Sequence, residues 1–221
     1  MFNLSLERLI YVLPAIIIAL TFHEYAHARV AYAFGDPTAK EAGRLTLNPF
    51  KHLDLMGTLL LVLAGFGWAK PVPINPMYFS GNRKGKILLV SLAGPLTNLA
   101  EALVATGILA LIWHFVPYGS VSNYLFNLLY YFMFINIVLA IFNFIPIPPL
   151  DGSKILAGLL PDKCFNFILG LERYGFLILL VLVFIPEIMG LFGLPTIDIL
   201  GLLITKPANF IAGMLLKLIS L

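Results

Sequence analysis

The sequence predicts an all-α polytopic membrane protein: a bundle of about five (four to six) transmembrane helices, with a re-entrant hairpin or loop between the first two. Three observations predict it. Of 221 residues, 60% are hydrophobic and only 11% charged, less than half of the roughly one-quarter found in soluble domains. The mean hydropathy is +0.96. Several apolar runs approach or exceed the ~20 residues that a helix needs to cross hydrocarbon. The length suits a single membrane-embedded domain over residues 1–221, with a core at about 9–160 and peripheral helices at about 174–221, and no separate soluble domain.

The first apolar segment runs from about Leu9 to Phe34 and ends at Gly35-Asp36-Pro37, a strong helix breaker. It lacks a basic front and a small-residue cleavage site, so it reads as a span and not as a cleavable signal. The second segment, about Ile87 to Val116, is long enough to tilt or to project beyond the bilayer. The third covers Tyr124 to about Phe144 and is stopped by Pro146, Pro148 and Pro149. The fourth covers Tyr174 to about Phe192. A fifth stretch, Ile197 to Leu221, is interrupted by Lys206-Pro207 and reads either as a kinked span or as a surface helix.

The region Leu55 to Pro76 departs from this pattern. Gly57 to Gly67 is apolar, yet too short to cross as a helix and too rich in glycine to make a good one. Trp68-Ala69-Lys70-Pro71-Val72-Pro73 then returns the chain to a polar stretch. An extended loop or re-entrant hairpin is expected. Irregular backbone at membrane depth is tolerated only against protein or a wet cavity, which puts this region beside a site.

The net charge of +3 and pI near 9.0 do not call for nucleic acid, since Lys and Arg of membrane proteins concentrate in cytoplasmic loops. Lys40, Arg44, Lys51, Lys70, Arg83, Lys84 and Lys86 fall between spans one and two, and Lys154, Lys163 and Arg173 between spans three and four. The link Pro117 to Asn123 has no charge. The N-terminus is therefore expected outside, with both basic connections in the cytoplasm. The C-terminal ends of spans one and three then meet on the cytoplasmic side. The single cysteine, Cys164, excludes an internal disulfide and a cysteine-rich metal cluster, and reads as a packing residue.

His23-Glu24-Tyr25-Ala26-His27 matches H-E-x-x-H within span one. Residues four apart share a helix face, so both imidazoles can reach one ion, and the glutamate beside them can act as a general base toward water. Three ionisable side chains within five residues of a span are costly, which favours function over packing. A catalytic zinc needs a third protein ligand and an open position. His114 lies across the membrane from the motif and reads as interfacial. His52 lies on the correct side but suits a structural or gating role better than ligation. Asp151, just past span three, reads equally as a helix-capping turn aspartate or as a ligand.

Three motifs occur together in this order: His23-Glu24-Tyr25-Ala26-His27, Ala93-Gly94-Pro95-Leu96-Thr97-Asn98, and Asn143-Phe144-Ile145-Pro146-Ile147-Pro148-Pro149-Leu150-Asp151-Gly152. With the stretch Gly65 to Pro73, they cover about two-thirds of the chain, which in this respect resembles the site-2 protease family of intramembrane zinc metalloproteases, in its short bacterial form without PDZ or CBS domains. The resemblance implies one Zn2+ per chain held by His23, His27 and Asp151, with Glu24 as the catalytic base. It implies a substrate-orienting or oxyanion role for Asn98, where the residue alone suggests an interhelical hydrogen bond, and with less support for Asn143. Glu101, unusual within a span, is left between support of the site and a pair with Arg29. The expected partners are single-span membrane protein substrates and the lipid bilayer, not nucleic acid. The expected location is a bacterial plasma (inner) membrane, multi-pass, with the site toward the cytoplasm.

The implied reaction is hydrolysis of peptide bonds within or near transmembrane segments, with the substrate helix unwound and the Leu55–Pro76 region offering it a strand edge. Two rivals use the same residues. A metal transporter would be expected to show internal repeats, and none is found. A metal-binding scaffold without proteolysis would tolerate loss of Glu24 or of a ligand, and all are present.

Overall fold

The computed structural model describes residues 6–64, 67–193, 195 and 199–219. α1 (Leu6–Ala33) buries Ala15, Ala19, Ala28 and Ala31 along its inner face. In a membrane, where lipid is as apolar as a leucine side chain, such small residues let helix backbones approach closely. The chain reverses at Gly35, whose φ of +98° disfavours any residue with a β-carbon. The buried Asp36 follows. Its Oδ1 accepts from Thr38 N at 3.0 Å, at the start of the short α2 (Thr38–Glu41). Its Oδ2 accepts from Asn75 N at 2.7 Å, which ties the end of α1 to the far end of the re-entrant region.

That region differs from the extended arm expected at Gly57 to Gly67: residues Leu55–Ala64 form a helix, α3. Asp54 starts it by accepting from Gly57 N at 2.8 Å, while Thr58 Oγ1 donates to Asp54 O at 2.6 Å. A helix satisfies its backbone groups internally, which an apolar surrounding demands and which outweighs the poor propensity of glycine. The glycines serve the hairpin instead. A β-carbon on Gly57 would collide with the Trp68 carbonyl, and one on Gly67 with the Gly57 carbonyl. A bridge between Leu53 and Ala69, with Lys70 N donating to His52 O at 2.8 Å, closes the neck. The region is thus a hairpin with one helical and one non-helical arm. Gly65 and Phe66 lie outside the described residues.

α4 (Arg83–Phe115) begins where the Asn82 side chain accepts from Gly85 N at 2.9 Å. Its 33 residues amount to roughly 50 Å, longer than a hydrocarbon core. α5 (Ser120–Phe144) packs along it, and α1 lies against both. α6 (Asp151–Leu159) folds back beside α4, then α7 (Asp162–Leu171) and α8 (Gly175–Leu191) follow. The last helix, α9 (Lys206–Ile219), is preceded by a π-type turn over Gly201–Thr205.

The largest apolar cluster joins Ala102, Ala105 and Leu109 of α4, Met133 and Ile137 of α5, and Ala208 and Ala212 of α9. The fifth apolar stretch is therefore a packed span and not a surface helix. Pro207 lies within a helical run that starts at residue 199, and the wide turn just before it, closed by Lys206 N–H on Gly201 O, makes room for the ring. Ile197 and Leu221, the ends expected for this stretch, lie outside the described residues. Among the described residues, five segments are long and apolar enough to cross a membrane: Arg8–Ala33, Arg83–Phe115, Ser120–Phe144, Asp162–Leu191 and Gly201–Ile219. Cys164 corrects its expected role as a packing residue. It is exposed, because α7 places none of its residues in the core.

Candidate metal centre

His23 and His27 lie one turn apart on α1 and are both buried. Their Nε2 atoms are 3.0 Å apart. Asp151 Oδ2 lies 3.2 Å from the first and 3.1 Å from the second. Asp151 is the first residue of α6, with Leu150 at the cap position and no side-chain cap bond, so the carboxylate is directed to the imidazoles and not to its own helix.

The hydrogen bonds behind the rings determine what faces the centre. His27 Nδ1 lies 2.7 Å from Val90 O, an obligate acceptor, so Nδ1 carries the proton. His23 Nδ1 lies 2.7 Å from Asn98 Oδ1, and that amide is oriented by Nδ2 donating to Asn136 Oδ1 at 2.8 Å and to Ala19 O at 3.4 Å. His23 is therefore also protonated on Nδ1. Both Nε2 lone pairs and a carboxylate oxygen then converge within 3.0–3.2 Å, an arrangement that a shared cation relieves. Tetrahedral zinc with N and O ligands at about 2.0–2.1 Å holds its ligand atoms roughly 3.3 Å apart, close to these separations. Two imidazoles and one carboxylate, with a position left for water, make a donor set that fits zinc.

Glu24 is buried next to the pair, and its Oε2 accepts from Val72 N at 2.8 Å. The holding segment is made non-helical by its prolines. Lys70, Val72 and Asn75 each precede a proline, which pushes them toward extended backbone. Arg44 Nη2 donates to Lys70 O at 2.5 Å and Asp36 anchors Asn75, so the segment is fixed on both sides of Val72. His23, Glu24, His27 and Asp151 open together into a cavity of about 370 Å³, whose lining also includes Pro71, Val72, Asn143 and Lys154. Lys154 Nζ pairs with Glu172 Oε1 at 3.5 Å there.

The remaining residues singled out by sequence separate clearly. Asn143 lines the cavity, with Nδ2 donating to Leu139 O at 3.0 Å. Asn98 does not line it. Fully buried and committed to His23, Asn136 and Ala19, its amide meets the imidazole in place of the expected substrate contact. His52 is buried at the hairpin neck, its Nε2 donating to Thr46 O at 2.8 Å, outside the cavity lining. Glu101 is partly buried on α4, and the pair with Arg29 is not formed among the described residues. His114 lies at the other end of α4, donating from Nε2 to Ile219 O at 3.0 Å.

Three contributors had no role in the sequence reading. Val90 and Val72 act through backbone atoms, which leave no side-chain signal. Gly94 was visible within its motif but without a reason. A β-carbon there would lie 2.5 Å from His27 Nε2 and 2.6 Å from His23 Nε2, so only glycine lets α4 lie this close to the imidazole pair.

The profile of Peptidase family M50 matches residues 112–185, which include Asp151. The chain is 43% identical over 178 residues to the Bacillus subtilis protein named "Putative zinc metalloprotease YwhC", covering 80% of this chain and 81% of that one. It is 29% identical over 188 residues to the Mycolicibacterium smegmatis protein of like name, Rip2, covering 81% and 68%. A Methanocaldococcus jannaschii relative, also named for a zinc metalloprotease, is 36% identical over 156 residues, covering 70% and 73%. No solved structure matches significantly. With such identity over four-fifths of both chains, and a buried donor set that fits zinc among membrane-spanning helices, the chain belongs to Peptidase family M50, the site-2 protease family, and is a multi-pass membrane zinc metalloprotease.

Proposed function

We propose that this protease hydrolyses peptide bonds within or near the transmembrane segments of membrane-anchored substrates, as in regulated intramembrane proteolysis, with its site toward the cytoplasm of a bacterial plasma membrane. The observation that carries the reading is the convergence of His23 Nε2, His27 Nε2 and Asp151 Oδ2 beside Glu24, in a cavity reached from among spanning helices. His23, His27 and Asp151 would hold a zinc ion, which when bound would supply Lewis acidity toward water and the scissile carbonyl. Glu24 is positioned through Oε2 by Val72 N–H, and its Oε1 takes a proton from the attacking water and passes it to the leaving amine. Asn98 and Val90 keep the imidazole protons on the far side of both rings.

The substrate helix must unwind, because an intact helix hides its carbonyls in hydrogen bonds. Pro71, Val72 and Ile74 line the cavity in a non-helical segment that offers backbone to an unwound strand. Asn143, on the opposite lining, offers a polar contact to the same strand. The concentration of basic residues in the α1–α4 and α5–α8 connections supports the cytoplasmic orientation.

The test is cleavage of a panel of tagged single-span substrates by the purified protein in detergent, wild type against Glu24→Gln, with metal measured on both. The variant is expected to retain one zinc per chain and to lose cleavage by a factor of about 10² or more. Cleavage at the wild-type rate by the variant removes Glu24 from the mechanism. Cleavage confined to soluble peptides removes the intramembrane assignment.

A further inference from the structure

A second cavity lies on a different face of α1 from the metal centre. It is a groove of about 530 Å³ between α1 and α4, lined on one side by Phe22, Tyr25, Ala26 and Arg29, and on the other by Ala93, Leu96, Thr97 and Ala100. Its floor is set by small side chains, and its rims, Phe22 and Leu96, are exposed where the bundle meets lipid. The groove is apolar throughout except at one end, where Arg29 stands.

Arg29 does not stand alone. Tyr32 is three residues further along α1, so the two side chains lie one turn apart on the same side of the helix. Lys40 Nζ donates to Tyr32 Oη at 2.9 Å and sits 4.9 Å from the ring centroid. Two cations thus gather around one phenol. Neither has an ion pair with a carboxylate among the described residues. Like charges held together at the end of a span repel one another unless an anion joins them.

We propose that this groove binds an anionic phospholipid, with its phosphate between Arg29, Lys40 and the Tyr32 hydroxyl and an acyl chain lying in the α1–α4 groove. Charge complementarity selects this occupant. A transmembrane helix docked here would fill the apolar part, but would bury Arg29 in a medium of low dielectric and need an acidic side chain placed at that depth. A phospholipid carries its charge at the interface and its chain below, the same order in which Arg29 and the groove are arranged. A zwitterionic headgroup leaves the two cations without net compensation, so the site discriminates by headgroup as well as by chain. The site is separate from catalysis and does not rest on the proposed substrate.

Native mass spectrometry of the detergent-purified protein, exchanged with equal amounts of phosphatidylglycerol and phosphatidylcholine of identical chains, tests it. Wild type is expected to retain one phosphatidylglycerol per chain in preference to phosphatidylcholine. The Arg29→Gln/Lys40→Gln variant should retain it about 25-fold less, at about fivefold for each basic residue facing an anionic headgroup. Arg29→Lys should keep it. Ala93→Phe, which fills the groove with both charges intact, should also release it. Zinc content equal to wild type shows that each variant is folded, and the exposed positions of Arg29 and Lys40 make their replacement structurally mild. Equal retention of the two lipids, unchanged retention in the double variant or in Ala93→Phe, displacement by glycerol phosphate alone, or a second protein chain in place of the lipid would each overturn the proposal.

Discussion

His23 donates its Nδ1 proton to Asn98 Oδ1 at 2.7 Å across the seam between α1 and α4, and this bond fixes which imidazole nitrogen faces Asp151. Asn98→Ala should therefore weaken zinc binding by about 10- to 100-fold without touching a ligand. Asn98→Asp keeps an acceptor for Nδ1 but sets a second oxygen against Asn136 Oδ1 and Ala19 O, so it should restore only part of the affinity. Competition against a chromophoric chelator measures both, and equal affinity of the alanine variant and wild type would show that the bond does not orient the ring.

Gly94→Ala sets two effects against each other. In an ordinary helix interior the change stabilises by about 1 kcal/mol, because alanine has the better propensity. Here the new methyl meets the imidazole nitrogens at 2.5 and 2.6 Å, so a ring or the whole of α4 must shift. Loss of bound zinc together with a lower melting temperature is the expected outcome. Metal analysis and thermal unfolding distinguish it from the stabilisation that propensity alone predicts.

Val72 reaches Glu24 through its backbone, so side-chain and backbone changes should separate. Val72→Ala keeps the N–H and should leave zinc content unchanged and turnover near wild type. Val72→Pro removes the donor in a segment that already accommodates prolines at 71 and 73. Turnover should fall at least about tenfold with zinc retained, the cost of releasing a positioned base. Equal turnover in the two variants would mean that the bond to Val72 is dispensable.

Gly57→Val and Gly67→Val both place side chains where the hairpin neck has only backbone. Each should splay the two arms and displace the segment that carries Val72. Cleavage is expected to drop while zinc stays bound, since no ligand lies in the hairpin. Protease nicking near residue 70, compared with wild type, reports the splaying directly.

How much of this could be read from sequence depended on distance along the chain. His23, Glu24 and His27 share one helix, and helical periodicity alone places them together. Four spans were legible because bilayer thickness imposes a length that apolar runs reveal, whereas Lys206-Pro207 left the fifth stretch open between a span and a surface helix. Asp151 could be a cap or a ligand until its neighbours were known, because a turn aspartate before a helix looks the same in either role. α3 was hidden for a different reason: propensity argues against a glycine-rich helix, while the apolar surroundings that overrule propensity are a property of the folded protein. Asn98 on its own read as an interhelical hydrogen bond, which the structure shows, while the resemblance implied a substrate contact. Nothing in a sequence shows whether an amide 75 positions away meets an imidazole or a substrate.

The donors of the metal centre are separated by 124 positions, two on the first span and one after the third. A polypeptide enters its membrane N-terminus first, so the histidine pair is in place long before Asp151 has been synthesised. A two-histidine site grips an ion weakly, and the third donor arrives only once α4 and α5 have been laid down. Completion of the centre thus marks the end of assembly of the catalytic half. A chain in which α6 has not yet folded back lacks one of the three donors of its metal centre.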